Sequence, residues 1–280
     1  MVSPHASEMP AGTPAIVALG SATSVLGFKR TGTGQWAEWD RLLTLDGVPA
    51  YHLGNVCNTC EVLFKRLDGA NRTLSAGQLG AELGAGRPSM DAAWLQSVGE
   101  LLPSGDYLPF YAEVPLALVR PGGPGDYFAE EQVATWGVDA FWALPHDPRT
   151  EYYRGRRVDL PRDRAWSRAI FEFVVPMVPH RWLHADRVAE YRRRRGGEPP
   201  TALALSVLDV KMPATWDQEP AVAEPWCLVH YLLDGRHKTY AASLDGAPVG
   251  LLSYLAVGQS IADPGDAREA VGRLASRAAP

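Results

Sequence analysis

Hydrophobic and polar positions along this chain fall into an irregular first half and a second half in which strand-like and helix-like runs alternate cleanly. The strand-like runs are Ile170-Phe171-Glu172-Phe173-Val174-Val175, Thr201 to Lys211, Trp226 to Leu233 and Val249 to Val257, all rich in apolar residues. Alternation along the first puts Glu172 on the side of Ile170 and Val174, where a carboxylate needs a partner or a task. Asp186 to Arg195 predicts a helix with Val188 and Tyr191 inward. Its arginines, Arg192 to Arg195, run off the C-terminal end, where the helix dipole favours cations, and Gly196-Gly197 stops it. Lys238 to Leu244 predicts a second helix, ended by Asp245-Gly246, and from Ala262 onward a short, polar, peripheral helix is expected.

The first half is less regular. Ala15 to Gly20 predicts a strand, and Ser21 to Gly34 reads as a strand or turn. Glu61 to Leu67 has helical spacing through Val62, Phe64 and Leu67, and Ser89 to Leu102 predicts a helix capped by Ser89 and stopped by Pro103. Tyr107 to Val119 reads as extended chain broken by Pro109 and Pro115. Asp126 to Leu144, with Tyr127, Phe128, Trp136, Phe141 and Trp142, reads as core. Pro145 to Trp166 mixes Tyr152 and Tyr153 with arginines and prolines, an interleaving that can hold nucleotides or single strands but more often forms an ordered loop with a solvated face, and it suits a boundary between two halves. The expected organisation is a flexible tail over 1–13, an α/β region of undefined topology over 14–165, and an α+β domain over 166–280 with a mixed sheet and helices.

Composition narrows the function classes. The 280 residues are 46% hydrophobic, enough to bury a sizeable core, and the net charge of −5 supplies no global attraction to nucleic acid. No apolar run approaches the ~20 residues of a membrane span, and the start lacks a charged region followed by an apolar one. Only three cysteines, Cys57, Cys60 and Cys227, are present, too few for a disulfide framework, so a cytoplasmic, reducing compartment is expected. The glycines between Gly69 and Gly86 form neither a dinucleotide-binding fingerprint nor a P-loop.

One segment concentrates the remaining chemistry. Asp234-Gly235-Arg236-His237-Lys238-Thr239 joins a predicted strand to a predicted helix, with Gly235 giving backbone freedom and three potential cations in the first helical turn. Cations there oppose the helix dipole unless an anion binds, and phosphate is the natural candidate. A solvated turn with free side chains is the plain alternative.

Elsewhere, His52, Cys57 and Cys60 admit three readings: a zinc site with a further ligand from a distance, a redox pair, or cysteines packed as small hydrophobes. The His-x-Glu and Pro-Cys-x-x-Cys arrangement of a zinc deaminase is absent.

The order strand, helix, strand, strand, turn, helix, strand across about 168–258 resembles the ParB/sulfiredoxin-like superfamily. There a strand runs into a turn of Asp-Gly-His-His-Arg type that binds nucleotide phosphate. Asp234, Gly235 and His237 match that turn, Lys238 replaces the usual Arg, and Arg236 replaces the first His. No helix-turn-helix of the partition proteins is recognisable, and Arg236 stands where sulfiredoxins carry their cysteine. The free-serine kinase branch uses an acidic residue near the first strand, a position that Glu172 resembles.

The resemblance therefore implies a kinase for a small hydroxyl-bearing metabolite. ATP or ADP with Mg²⁺ would sit on Gly235, Arg236, His237, Lys238 and Thr239, with Lys211 as a further phosphate contact. Glu172 would orient or deprotonate the hydroxyl, and Asp234 would position His237 or hold metal. The competing expectation is a non-enzymatic nucleotide- or anion-binding module whose first half is stabilised by zinc.

Metal analysis separates the readings of His52, Cys57 and Cys60: a structural zinc site should be nearly full in the purified chain and empty in Cys57→Ser, whereas less than about a tenth of an equivalent in the parent removes it.

Overall fold

The computed structural model describes residues 15–33, 40–54, 64–72, 74, 79–89, 91–136, 148–161, 167–194, 199–211 and 221–275. In chain order they form β1 (Val17–Leu19), β2 (Leu26–Arg30), β3 (Arg41–Leu45), β4 (Val48–His52), β5 (Lys65–Arg66), α1 (Leu79–Ala85), α2 (Ala92–Gly99), β6 (Gly105–Pro115), β7 (Ala117–Val119) and α3 (Glu131–Trp136). There follow β8 (Tyr152–Asp159), β9 (Arg168–Pro176), α4 (Ala185–Arg193), β10 (Thr201–Val210), β11 (Glu224–Asp234), α5 (Arg236–Asp245), β12 (Pro248–Ala256) and α6 (Pro264–Leu274), with 3-10 turns at His180–Trp182 and Val257–Gln259.

An eight-stranded mixed sheet runs in the order β1-β6-β12-β10-β11-β9-β8-β7, and a four-stranded sheet runs β2-β3-β4-β5. The pairs β10–β12 and β9–β11 are parallel and every other described pair is antiparallel. The chain is thus α+β, with a large mixed sheet and six α-helices among the described residues. No described helix is long and apolar enough to cross a membrane.

Both faces of the large sheet are covered. Phe171, Phe173, Val175, Leu205, Val229 and Tyr231 pack with Leu43, Tyr51 and Phe64 of the first half in one core cluster. Ile170, Val174, Ala204, Leu228 and Leu232 share a second cluster with Ala242 of α5 and Ala267, Val271 and Leu274 of α6. Central strands buried on both sides lose the polar alternation of a half-exposed strand, which explains the near-continuous apolar runs of β9 to β12. The predicted order from residue 168 onward is realised as β9, α4, β10, β11, α5 and β12.

Several local expectations change. Lys65 and Arg66 form a strand against Tyr51 and His52 rather than part of a helix, since edge pairing outweighs a seven-residue periodicity. Asp91, not Ser89, caps α2, its carboxylate accepting from the Trp94 N–H at 2.9 Å. The segment read as a loop between halves contains β8, which pairs with β9 through an irregularity between Arg154 and Arg157. The proposed boundary near residue 165 therefore lies between strands that are neighbours in one sheet. Helix α6 is not merely peripheral, because Ala267, Ala270, Val271 and Leu274 are buried.

Pro109 is accommodated inside β6 because β1 pairs only with residues 105–107, leaving one side of Pro109 without a β1 partner for a missing N–H to forfeit. The β3–β4 hairpin turns on Asp46-Gly47, both at positive φ, a two-residue connection that suits the twist of paired strands.

A buried ion pair joins the two sheets. Arg41 of β3 reaches Asp209 of β10, with side chains 1% and 3% exposed, and also donates to the carbonyl oxygens of Leu53, at 2.8 Å, and Gln259. Asp209 in turn accepts from the Ile261 N–H at 3.2 Å. Removing one partner strands the other charge in the interior, so Asp209→Ala should destabilise the protein by about 3–5 kcal/mol in denaturant titration. The double replacement Arg41→Met with Asp209→Leu should recover part of that loss, since no charge is then left unpaired.

Candidate functional site

Strand β11 ends at Asp234 and α5 begins at Arg236, so Gly235 must reverse the chain within one residue. Its φ is +100°, and a Cβ added there would lie 2.6 Å from Ala202 Cβ and 2.8 Å from Ala202 Cα. Conformation and contact both demand glycine. Asp234 lies opposite Leu203 near the start of β10, and Lys238 Nζ reaches across to the Thr201 carbonyl oxygen at 2.8 Å and to Asp234 Oδ2 at 3.1 Å. Lys238 thus ties α5 to β10, and burial pushes its ammonium below its ordinary pKa against the raising influence of Asp234.

Helix α4 starts beside α5. The His184 N–H donates to His237 Nε2 at 3.1 Å, and the two imidazoles stack at 5.8 Å with an 18° interplanar angle. At the far ends, Arg192 of α4 pairs with Asp245 of α5 at 2.7 Å, so the helices run side by side in the same sense. Neither helix has a side-chain cap at its N-terminus. Two positive helix ends therefore converge, each with uncapped first-turn N–H groups.

In front of them lies a pocket of about 270 Å³. Arg187, Arg236, His237 and Lys238 line its polar side with Asp234 as the one carboxylate among its lining residues, while Leu74, Met177, Val178, Leu232 and Leu233 form its apolar wall. Nη1 of Arg236 is buried without a hydrogen-bond partner among the described residues. Burial and the neighbouring Arg187 charge push the Arg236 guanidinium below its ordinary value, with Asp234 opposing. For His237, burial acts first, then the charges of Arg236 and Arg187 and the neighbouring His184, and the pKa falls to about 4. Such repulsion among cations is relieved by an anion.

Other residues singled out by sequence do not join this pocket. Thr239 is fully buried and is not among the residues lining it. Lys211 lies at the opposite end of β10, eight positions beyond Leu203, about 26 Å away along the strand. Glu172 sits four residues before the end of β9, about 13 Å back along the strand.

The Glu172 carboxylate is fully engaged. Arg156 Nε and Nη2 each donate to it at 2.9 Å, the Arg156 N–H donates at 3.1 Å, and His230 Nε2 lies 3.3 Å away. The array continues from His230 Nδ1 to Ser206 Oγ at 2.7 Å and on to Ser253 Oγ at 2.5 Å, linking β9, β11, β10 and β12. Burial alone would raise the Glu172 pKa, but hydrogen bonds from His230 and Arg156 and their charges hold it at about 2. A carboxylate so placed is a structural counterion and a poor proton acceptor. The sequence-based assignment of Glu172 as base is accordingly replaced by a structural role. Glu172→Gln should lower stability by about 2–4 kcal/mol, because Arg156, only partly exposed, loses its counter-charge.

His52 Nε2 contacts Asp40 Oδ1 at 2.5 Å, while Cys57 and Cys60 lie outside the described residues. Among the described residues no group of three or more His, Cys, Asp or Glu side chains is placed to hold a metal. Arg187, Met177 and Val178 are pocket residues that sequence reasoning missed, and only the predicted helix at 186–195 hinted at the first.

The lowered His237 pKa has a measurable outcome. Between pH 6.5 and about 4 the unfolded chain takes up a proton on this residue that the native protein refuses, so stability falls as pH falls through that window. His237→Gln should flatten the decline in melting temperature over the same interval.

Compared with family models, with curated proteins and with solved structures, the chain matches none.

Proposed function

We propose that this protein binds a phosphate-bearing small molecule in the pocket between the N-termini of α4 and α5. The observation that carries this reading is the convergence of Arg187, Arg236, His237 and Lys238 on two uncapped helix ends, with a buried Arg236 nitrogen that has no partner among the described residues. Desolvated guanidinium and first-turn N–H groups match the oxygen-rich surface of a phosphate, and each charge-assisted contact contributes about 1.5–3 kcal/mol. The resemblance of the Asp234–Lys238 turn to the ParB/sulfiredoxin-like superfamily supports the same class of ligand, a nucleotide such as ATP or ADP.

Mg²⁺ fits as an ion carried in by the phosphates. One carboxylate, Asp234, lines the pocket, and it is already shared with Lys238. That donor set is too sparse for a preformed magnesium cage, which is the usual situation for nucleotide-bound Mg²⁺.

Phosphoryl transfer to a small hydroxyl-bearing metabolite is the enzymatic form of this reading. Its support is the position of Asp234, which faces the pocket beside the cations that would hold the transferring group. Asp234 replaces Glu172 as the candidate to orient the hydroxyl. The non-enzymatic form is a sensor that uses the same pocket without turnover.

Arg236→Ala should weaken binding of ATP by about tenfold or more in calorimetric titration, since it removes a partly buried cation that lines the pocket. ADP release across a panel of hydroxyl compounds, lost in Asp234→Asn with ATP binding retained, supports the transferase. Binding without turnover across that panel supports the sensor, and unchanged affinity in Arg236→Ala overturns the pocket itself.

A further inference from the structure

A second, open recess adjoins the phosphate pocket and shares Arg236 with it. Its other lining residues are Asn71, Arg72, Trp182 and His184. Among the described residues four large hydrophobic side chains are exposed, and Trp182, at 39%, is the aromatic one; Trp94 and Trp226 are buried. The exposed indole therefore shares a recess with the guanidinium of the cationic pocket, whose Nη1 has no partner among the described residues.

Two residues of the recess have partners of their own: Arg72 pairs with Asp46, and Asn71 accepts from Arg66 Nη2 at 2.7 Å while its own amide donates to the Asp68 carbonyl oxygen. The His184 imidazole stacks on His237, a residue of the phosphate pocket, so a flat aromatic surface joins the two spaces. Trp182 ends the 3-10 turn that leads through Leu183 into α4. An exposed indole, an imidazole and a guanidinium around an open space form a platform for a planar π-system.

We propose that the recess holds the heteroaromatic ring of the ligand, stacked on Trp182, while its phosphates occupy the adjoining pocket. This rests on the phosphate reading above and extends it: Trp182 makes the site select nucleotides over inorganic polyphosphate or sugar phosphates. Stacking tolerates different bases, so purine and pyrimidine nucleotides both gain from it.

The test is calorimetric titration of the full chain with inorganic tripolyphosphate, ATP and CTP. Both nucleotides are expected to bind roughly tenfold tighter than tripolyphosphate, a gain typical of one stacked base. Trp182→Ala should erase that difference and leave tripolyphosphate binding unchanged, and Trp182→Phe should retain most of it. Trp182 is exposed, and matched thermal melts of the variants verify that the fold is kept. Equal affinity of the three probes for the parent protein, or equal weakening of all three by Trp182→Ala, overturns the ring subsite while leaving the phosphate pocket standing. Failure of all three probes to bind overturns both.

Discussion

Coverage of the large sheet on both faces is the constraint from which most of this structure follows. Once β9, β10, β11 and β12 are buried on both sides, a charged or polar side chain within them is costly unless it finds a partner inside the protein. Glu172, His230, Ser206 and Ser253 meet that demand by forming one array across four strands, closed by Arg156. Asp209 meets it with Arg41. None of these groups lines the pocket between α4 and α5. The carboxyl ends of the parallel neighbours β9 and β11 open onto that pocket through Met177, Val178 and residues 232–238. Strand ends of this kind are the usual ligand position in sheets with parallel strands.

The same constraint explains what the sequence disclosed and what it hid. Continuous apolar runs made β9 to β12 legible, and the Asp234-Gly235 reversal was legible because glycine is required both by φ and by the approach of Ala202. The alternation of β9 also placed Glu172 on the correct face. Its role was misread because its partner lies in β8, a strand disguised by arginines, a glycine and an irregular register. Pairing across the sheet carries no local signal. For Trp182 and Arg187 the difficulty was different: a 3-10 turn and the first turns of a short helix give no periodicity that points toward a pocket formed with residues some fifty positions away.

Within the pocket, the matching turn residues have divided their tasks. Gly235 makes the reversal possible, and Lys238 spends its donors on the Thr201 carbonyl and Asp234. Arg236 and His237 remain facing the pocket, joined by Arg187 from a helix that the turn alone does not specify. Likeness in a five-residue turn therefore underdetermines the site: two of its residues serve mainly to hold α5 against β10, while α4 contributes a cation and a second helix end.

That division has an energetic consequence. Burial first, and the neighbouring positive charges after it, depress the pKa values of Arg236 and His237, so His237 is neutral near pH 7 while Arg187 and Arg236 oppose each other and the uncapped helix ends add to the same positive field. The Arg192–Asp245 pair holds α4 beside α5, and the Lys238 contacts fix α5 to β10, against this repulsion. An anion entering the pocket reverses the sign of the local interaction, so ligand binding and helix docking reinforce each other by linkage. On the proposed reading, the positions whose charges oppose one another in the empty protein are the ones that would contact a compact, highly charged group.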